Sequence, residues 1–439
     1  MSVLAPKAKS LNGRRADPNP VRAQFDWPAA VIAGAYRTGV LGMRSLARRG
    51  VRVALVDCDT AQSGFRSAHG PAYACPNPDV DPRGWVAGMA DVARRMGEAG
   101  GGRPVLISSA DQFTSAIAAN ADRLGEHFVL SPGARLQGLL ATKETQYQLA
   151  VQHGMPLPRT AFARSAEDVR EFAAAASFPC LIKPGHFREW QAFPRGHRLA
   201  YAKVAVASDG AELLECWRLA SAVNPNVIVQ EVIGGPDTAK RVYVSCYNAD
   251  SRRIAHAMFR ELRCDPIGFG PASVTEPIVD AETDAVCDRF LRSIAFSGIC
   301  EIEMKIDSRD DRPRMIEANP RLSGSGDAAP YAGVDTCWLH YLDLIGRPVE
   351  PVAPNGRDFR HITLRSDASA VFEHKRAGTI SWTDVLHSYK PPLAFFDLDR
   401  GDWRYSAQTV ALAIRSALGE LRRSMVRART RPAPKSAAK

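Results

Sequence analysis

The chain has 439 residues, of which 45% are hydrophobic and 24% are charged, a composition typical of a soluble globular protein with room for about three domains. It contains no long apolar run, and its first residues lack the apolar stretch of a secretory signal, so we expect no membrane span and a cytoplasmic location. The nine cysteines include no Cys-x-x-Cys pair, which argues against structural zinc and against a disulfide framework.

The net charge of +10 is confined to the two ends of the chain. Residues 1–30 hold five Lys and Arg against two Asp, and residues 415–439 hold eight against one Glu, so the body between them is formally neutral. We therefore expect solvated basic tails at 1–27 and 429–439 and no nucleic-acid partner. Before the second tail, apolar residues at helical spacing predict a helix docked on its own protein, namely Val410, Ile414, Leu418, Leu421 and Met425.

The first elements are a strand, a glycine turn, a helix and a strand in AAVIAGAYRTGVLGMRSLARRGVRVALVDCD, which together form a βαβ unit. The turn contains Gly34, Gly39 and Gly42, a spacing that matches neither G-x-G-x-x-G nor a P-loop. Asp57 ends the second strand where a dinucleotide-binding protein places its ribose-binding acid, so a dehydrogenase is a rival interpretation. A further strand and helix in PVLISSADQFTSAIAAN continue the alternation and predict a first α/β domain over 28–135.

From Thr142 the pattern changes. TKETQYQLAVQHGMPLP predicts a helix stopped by Gly154 and two prolines. The helix EDVREFAAAA and the strand PCLIKP follow, and strand-rich sequence from Ala200 to Val279 predicts an α+β region. After residue 350, HITLRSDASAVF predicts a strand that runs into a helix.

The segment GICEIEMKIDSRDDRPRMIEANPRLSGSG concentrates carboxylates on two predicted strands. Apolar and polar residues alternate in ICEIEMKID and again in MIEAN, which is the pattern of strands with one wet face, and the polar DSRDDRP between them predicts a hairpin. With the register centred on Asp310, Glu303 faces Glu317 and Glu301 faces Asn319 on the same side of the sheet.

Two carboxylates at about 5 Å repel each other unless one keeps a proton or a cation lies between them. Glu303, Glu317 and Asn319 offer oxygen donors, which suit Mg²⁺, with Mn²⁺ as the alternative, carrying a phosphate. A merely solvated charged face is the other interpretation. Arg321 can reach a phosphoryl or carboxylate oxygen, and the glycines of SGSG let backbone approach a ligand, so these residues favour the metal site.

Taken together, these residues resemble the ATP-grasp superfamily, and most closely its carboxylate–amine ligase-like branch. Glu303 and the E-x-N-P-R motif that runs from Glu317 to Arg321 resemble the family's metal-binding strands, and further segments follow in the family's order over about residues 30–345. The resemblance implies an α/β and α+β fold in which a Rossmann-like pre-ATP-grasp domain precedes a two-lobed ATP-grasp fold. The implied lobes are 136–232 and 233–350, and an extension follows at 351–428.

The resemblance also implies which residues contact ATP. TKETQYQLAVQHGMPLP makes Lys143 the first ATP-contacting lysine, and LIKP makes Lys183 the phosphate-binding lysine. The loop between Pro184 and Lys203 corresponds to the family's mobile flap. The resemblance also implies that Lys203, at the end of this loop, binds the nucleotide. The aromatic residues of this loop depart from the small-residue composition of the family's flap, namely Phe187, Trp190 and Phe193.

VIVQEVIGG resembles the hinge between the lobes, where backbone groups of Gln230 and Ile233 would bond the adenine and Glu231 or Asp237 would meet the ribose. AMFRELRCDPIGFG resembles the stretch whose basic residues meet the transferring phosphate. It therefore assigns a catalytic role to Arg260 and Arg263 beside Arg321. An acceptor pocket is implied near Asp111, Gln112 and residues 323–327.

The function that the resemblance implies is that of an ATP-dependent ligase. A substrate carboxylate would be activated as an acyl phosphate and joined to an amine, so the expected partners are small-molecule carboxylates and amines, and a homodimer is compatible with them. The alternatives are a carboxylase or carbamoyl-phosphate-type enzyme and a nucleotide-binding protein without turnover.

Overall fold

In the part of the chain that the structure describes, the strands form three sheets, of four, seven and four strands, and helices accompany each sheet. The mixed α/β architecture expected from the sequence is therefore confirmed. The computed structural model describes residues 27–98, 101–185, 187–200, 202–396 and 398–430.

The N-terminal part forms a four-stranded sheet flanked by helices. Its elements are β1 Ala30–Ala33, α1 Arg37–Ala47, β2 Val53–Asp57, β3 Ala72–Ala74, α2 Pro82–Gly97, β4 Val105–Ser108, α3 Asp111–Ala119, α4 Ala121–Gly125 and α5 Ala134–Leu140. The strand order is β3-β2-β1-β4, and every pair is parallel. β1, β2 and β4 are buried at every position, as expected of parallel strands covered on both faces.

A tight glycine turn connects β1 to α1. Gly34 has a φ of +110°, in the region that favours glycine, and a Cβ on Gly39 would lie 1.9 Å from the Gly34 carbonyl oxygen. The Asp57 carboxylate accepts the backbone N–H of Ala35 at 2.7 Å and that of Asp59 at 2.9 Å. This carboxylate therefore holds the turn, whereas the dehydrogenase interpretation requires it for a ribose.

The middle part forms a small antiparallel sheet. Its elements are α6 Lys143–Gln152, β5 Thr160–Ala163, α7 Ala166–Ala175, β6 Cys180–Pro184, β7 Ala205–Ala207, α8 Gly210–Ser221 and β8 Val227–Glu231. The strand order is β5-β8-β6-β7. Lys183 on β6 and Gln230 on β8 are thereby placed on neighbouring strands.

The loop between β6 and β7 contains the aromatic residues that depart from the family's flap. Trp190 is 1% exposed and Phe193 is 7% exposed, and both pack with Leu199 in the core of the small sheet. These side chains anchor the loop to its own sheet. Movement of the loop over a phosphate stays a prediction.

The third and largest sheet contains the carboxylate hairpin. Its elements are β9 Lys240–Tyr247, β10 Arg253–Cys264, β11 Ala272–Pro277, α9 Ala281–Ser293, β12 Gly298–Asp307, β13 Arg312–Asn319, α10 Thr336–Leu344, β14 Arg360–Ile362, α11 Leu364–Ala377, α12 Trp382–His387, β15 Leu393–Phe395 and α13 Trp403–Thr430. The strand order is β13-β12-β9-β10-β11-β14-β15. The last two strands come from the C-terminal extension, which therefore completes this sheet.

The C-terminal extension also contacts the first helix of the chain. Arg44 on α1 pairs with Asp399 at 3.1 Å and donates to the Phe396 carbonyl at 3.0 Å. Among the described residues no helix combines the length and apolar composition that crossing a bilayer requires.

The basic tails predicted at 1–27 and 429–439 lie almost entirely outside the described residues.

Two arginines fix the far end of the hairpin. The carboxylate of Asp307 at the end of β12 pairs with Arg309 at 2.6 Å and with Arg314 at 2.9 Å. Hydrogen bonds from Arg309 lower the pKa of Asp307 to about 2 in spite of burial.

We expect Asp307→Asn to weaken the dependence of stability on acid pH. A carboxyl whose pKa is lowered on folding contributes stability above its unfolded pKa, near about 4, and this stability is lost as pH falls towards the folded pKa. Urea unfolding at pH 7 and at pH 3 measures the effect, and the natural protein should lose about 1 kcal/mol more between them than the variant. The same loss in both proteins would contradict this role.

Candidate active site

The hairpin of β12 and β13 has the register expected from the sequence. Glu303 pairs with Glu317, Glu301 pairs with Asn319, and a bulge at Ile316 follows immediately. The predicted register is therefore confirmed, and the four polar residues share one side of the sheet.

Carboxyl groups crowd together on this side of the hairpin. Burial raises the pKa of Glu303 well above its usual value, and the neighbouring Glu317 and Glu301 raise it further. Burial also raises the pKa of Glu301 to about 7, although the Ser323 hydroxyl donates to its carboxylate at 2.6 Å. A cation bound by oxygen ligands would relieve this repulsion, so the donor set fits Mg²⁺.

Lys143, the first residue of α6, reaches the hairpin from the small-sheet side. Its Nζ lies 3.2 Å from Oε2 of Glu317. The charge of Lys143 lowers the pKa of Glu317 to about 2 against the effect of burial, and Lys203 and Lys183 contribute in the same direction. Lys143 is therefore the ion-pair partner of Glu317, and the charges of two further predicted lysines favour its ionised form.

Lys183 is 4% exposed and is held by neutral groups. Its Nζ donates to Oε1 of Gln230 at 3.0 Å and to the Tyr147 hydroxyl. Burial lowers the pKa of Lys183 well below its usual value, and the charge of Lys143 lowers it further. An anionic ligand at this position would stabilise the charged form of both lysines.

The predicted hinge residues lie beside this cluster in different roles. The Ile233 carbonyl accepts from Nζ of Lys305 at 3.1 Å. The Glu231 carboxylate accepts from Arg309 at 2.8 Å, and Asp237 lies 3.8 Å from Nζ of Lys240. Asp237 also accepts from Cys264 Sγ at 3.0 Å, so both acids are engaged with protein and the ribose contact of either one stays a prediction.

Arg321 connects the hairpin to the N-terminal sheet. Its guanidinium binds Asp111, the first residue of α3, through two bonds of 2.6 and 3.0 Å, and it donates to Oδ1 of Asn319 at 3.0 Å. The arginine therefore lies beside the predicted metal ligands and faces the predicted acceptor pocket, where Arg37 pairs with Asp327 at 3.2 Å.

Arg260 and Arg263 are not brought to this cluster. Arg260 pairs with Glu276 of the neighbouring strand, and Arg263 is buried in a bidentate ion pair with Asp367 of α11. Glu261 between them contacts Lys240 at 3.0 Å, and alternation along a strand places Arg260 on the opposite face. The catalytic role of these two arginines stays a prediction.

The sequence assigned no role to Tyr147, to Lys240 or to Glu261. Tyr147 occurs four residues after Lys143, so helical spacing could have placed it on the same side of α6. Lys240 and Glu261 are both buried, and burial raises the pKa of Glu261 in spite of the lysine. The two residues are 21 positions apart on neighbouring strands, and no local pattern links them.

Comparison with known proteins gives three informative likenesses, although no family model matches the chain. The chain is 35% identical over 98 residues to the D-alanine–D-alanine ligase of Pseudomonas fluorescens, a match that covers 22% of this chain and 26% of that ligase. It is 25% identical over 356 residues to the formate-dependent phosphoribosylglycinamide formyltransferase of Pelobacter propionicus, covering 76% of this chain and 82% of that enzyme.

The structure superimposes on the L-amino acid ligase from Bacillus licheniformis with a TM-score of 0.55 and 14% identity, over 74% of this chain and 76% of that one. The chain spans only about a quarter of the length of the D-alanine–D-alanine ligase that it matches. These likenesses confirm the resemblance to the ATP-grasp superfamily in its carboxylate–amine ligase-like branch.

Proposed function

We propose that this chain is an ATP-dependent ligase that activates a substrate carboxylate as an acyl phosphate and joins it to an amine, releasing ADP and phosphate. The observation that carries the proposal is the pairing of Glu303 with Glu317 on one side of the hairpin, with Lys143 and Lys183 beside them. Facing acids next to convergent lysines suit a metal-bound nucleotide phosphate better than a solvated surface.

The residues of the site divide between binding and charge neutralisation. Glu303, Glu317 and Asn319 would hold one or two Mg²⁺ ions, which would neutralise the charge of the nucleotide phosphates. Lys183 and Lys143 would stabilise the negative charge that develops on the transferring phosphoryl group. Phosphoryl transfer needs little acid–base chemistry, so positioning by these fixed side chains supplies most of the catalysis.

Adenine and ribose would lie at the hinge between the small and the large sheet. Backbone groups of Gln230 and Ile233 would bond the adenine edge, and Glu231 or Asp237 would contact the ribose. Lys203, whose charge lowers the pKa of Glu317, would approach the phosphates at the end of the loop.

Arg321 would meet the substrate on the side of the N-terminal sheet. We propose that this parallel sheet is the Rossmann-like pre-ATP-grasp domain over 28–135, and that the small and large sheets are the lobes 136–232 and 233–350. We also propose that residues 351–428 form a C-terminal extension, that the protein forms a homodimer and that it is located in the cytoplasm.

The test is ADP release by the purified chain with ATP and Mg²⁺ against pools of amino acids and small carboxylic acids. Release that requires one acid and one amine together, with formation of the joined product, is the expected result. Release that requires bicarbonate in place of the organic acid would point to the carboxylase alternative. ATP binding without release in any pool would contradict the ligase.

We expect Lys183→Met to weaken ATP binding by about 10²-fold, because the variant removes the buried amine whose charged form the phosphates would stabilise. Equilibrium binding of ATP with Mg²⁺ measures the change. Lys375→Met is the matched control, since this lysine donates to the Ile380 carbonyl at 3.0 Å in the C-terminal extension. Equal affinities of the Lys183→Met variant and the natural chain would remove Lys183 from the nucleotide site.

A further inference from the structure

The long C-terminal helix α13 carries an apolar stripe on its solvent side. Trp403, Ile414 and Leu418 are 66%, 55% and 57% exposed, and Ala407 and Ala411 between them are exposed as well. Spacings of three and four residues place these five side chains in one line along the helix.

The opposite side of α13 is the one that contacts the rest of the protein. Tyr405 is 2% exposed and Thr409 is 7% exposed, and the buried Glu420 pairs with Arg376 of α11 at 2.6 Å. The apolar repeat was expected to form the docked face, and for Ile414 and Leu418 this expectation is wrong. The helix is held through a mixed face that includes the Glu420–Arg376 ion pair, whereas Ile414 and Leu418 face outwards.

Basic residues follow one edge of this stripe. Arg404, Arg415 and Arg422 are exposed, at spacings of eleven and seven residues, which place them on one flank of the helix. Glu420 is the single acidic residue in the sequence of the helix, and it is committed to Arg376. Residues 415–439 together hold eight Lys and Arg against this one Glu.

An apolar stripe beside a flank that carries only positive charge fits one kind of partner. A second copy of the helix would bring arginines near arginines and would offer no acidic residue to pair with them. Nucleic acid would pair with the arginines but would leave Trp403, Ile414 and Leu418 in water. An anionic lipid surface satisfies both features, because acyl chains accept the apolar stripe and headgroups pair with the basic flank.

We propose that α13 binds in the plane of an anionic lipid bilayer and attaches the protein to it. The helix has 28 residues and is about 42 Å long, and it would lie flat with the Trp403 ring at the level of the headgroups. This attachment is independent of the proposed ligase activity, since none of its residues belongs to the active site.

Co-sedimentation of the full chain with lipid vesicles tests the proposal. We expect binding to vesicles of phosphatidylcholine with phosphatidylglycerol, weaker binding at high salt, and little binding to vesicles of phosphatidylcholine alone. The double variant Ile414→Glu and Leu418→Glu should lower the affinity for the anionic vesicles by at least about tenfold.

The matched control is Val80→Glu with Val279→Glu, which changes the charge equally at two valines that are 81% and 98% exposed outside this helix. It should bind like the natural chain, and ADP release should be unchanged in both double variants. Equal loss of binding in the two double variants would show that net charge alone acts and would overturn the proposal. The proposal would also be overturned if the natural chain does not bind anionic vesicles. It would be overturned as well if the natural chain forms a dimer that is lost only in the Ile414→Glu and Leu418→Glu double variant.

Discussion

Replacing Glu317 by Gln is expected to lower ADP formation by at least about 10²-fold while the protein remains folded. The variant removes one of two carboxylates that face each other on the hairpin, and with it the anion that Lys143 contacts at 3.2 Å. Its effect on stability should be small because two changes oppose each other. Lys143 loses its partner, but Glu303 loses the neighbour that raises its pKa.

ADP release under saturating ATP and Mg²⁺ measures the activity, and thermal unfolding with and without MgATP measures folding and binding. Glu282→Gln is the matched control, because Glu282 on α9 pairs at the protein surface with Arg312 of the same hairpin. That variant should keep its turnover. Undiminished turnover in the Glu317→Gln variant would remove the metal site from the proposal.

Asp367→Ala is expected to destabilise the protein by about 3–5 kcal/mol, because it leaves the buried guanidinium of Arg263 without its counter-charge. Both side chains are almost fully buried, with 2% and 5% of their surface exposed. Asp367 also accepts from Ser273 at 2.8 Å and from Tyr389. Its removal therefore leaves several buried donors unpaired.

Chemical unfolding at constant pH measures the loss. Asp358→Ala is the control, because this carboxylate pairs with Arg360 while 63% exposed, and it should cost no more than about 0.5–1 kcal/mol. A double variant, Arg263→Met with Asp367→Leu, should recover much of the lost stability, since it leaves no buried charge. If the double variant is as unstable as Asp367→Ala, the unpaired charge is not the cause.

The carboxylate hairpin could be predicted from the sequence because all of its determinants are local. Alternation defines the wet face of each strand, the polar connection fixes where the chain reverses, and together they set which residues oppose each other. Gly154 and the prolines that follow it similarly predicted the end of the helix that begins at Lys143. The register of Glu303 against Glu317 is accordingly the same in the sequence and in the structure.

The face of the sheet on which the side chains of Arg260 and Arg263 lie could not be predicted in this way. The strand AMFRELRC has charged residues at 260, 261 and 263, so alternation does not define a single wet face. The outcome depends on partners far away in sequence, since Asp367 comes from a helix 104 residues later. The bulge between Glu261 and Arg263 changes the local register as well.

Long-range packing also determined which apolar side chains are buried and which are exposed. Trp190 and Phe193 occur in a loop whose composition gave no sign that they enter a core, and only the fold of the small sheet buries them. On α13 the apolar repeat was visible, but the sequence did not show whether the protein or solvent would face it. A helical repeat predicts a face and not the partner of that face.

The contact between Arg44 and the Phe396 carbonyl joins positions 352 residues apart, and it has a consequence for how the molecule is made. The ribosome synthesises α1 long before β14 and β15, the strands that complete the largest sheet. That sheet therefore remains incomplete until the end of synthesis. Final closure depends on contacts of very large sequence separation, which form slowly. Chains truncated before residue 360 would leave β11 as a bare sheet edge able to pair with other molecules.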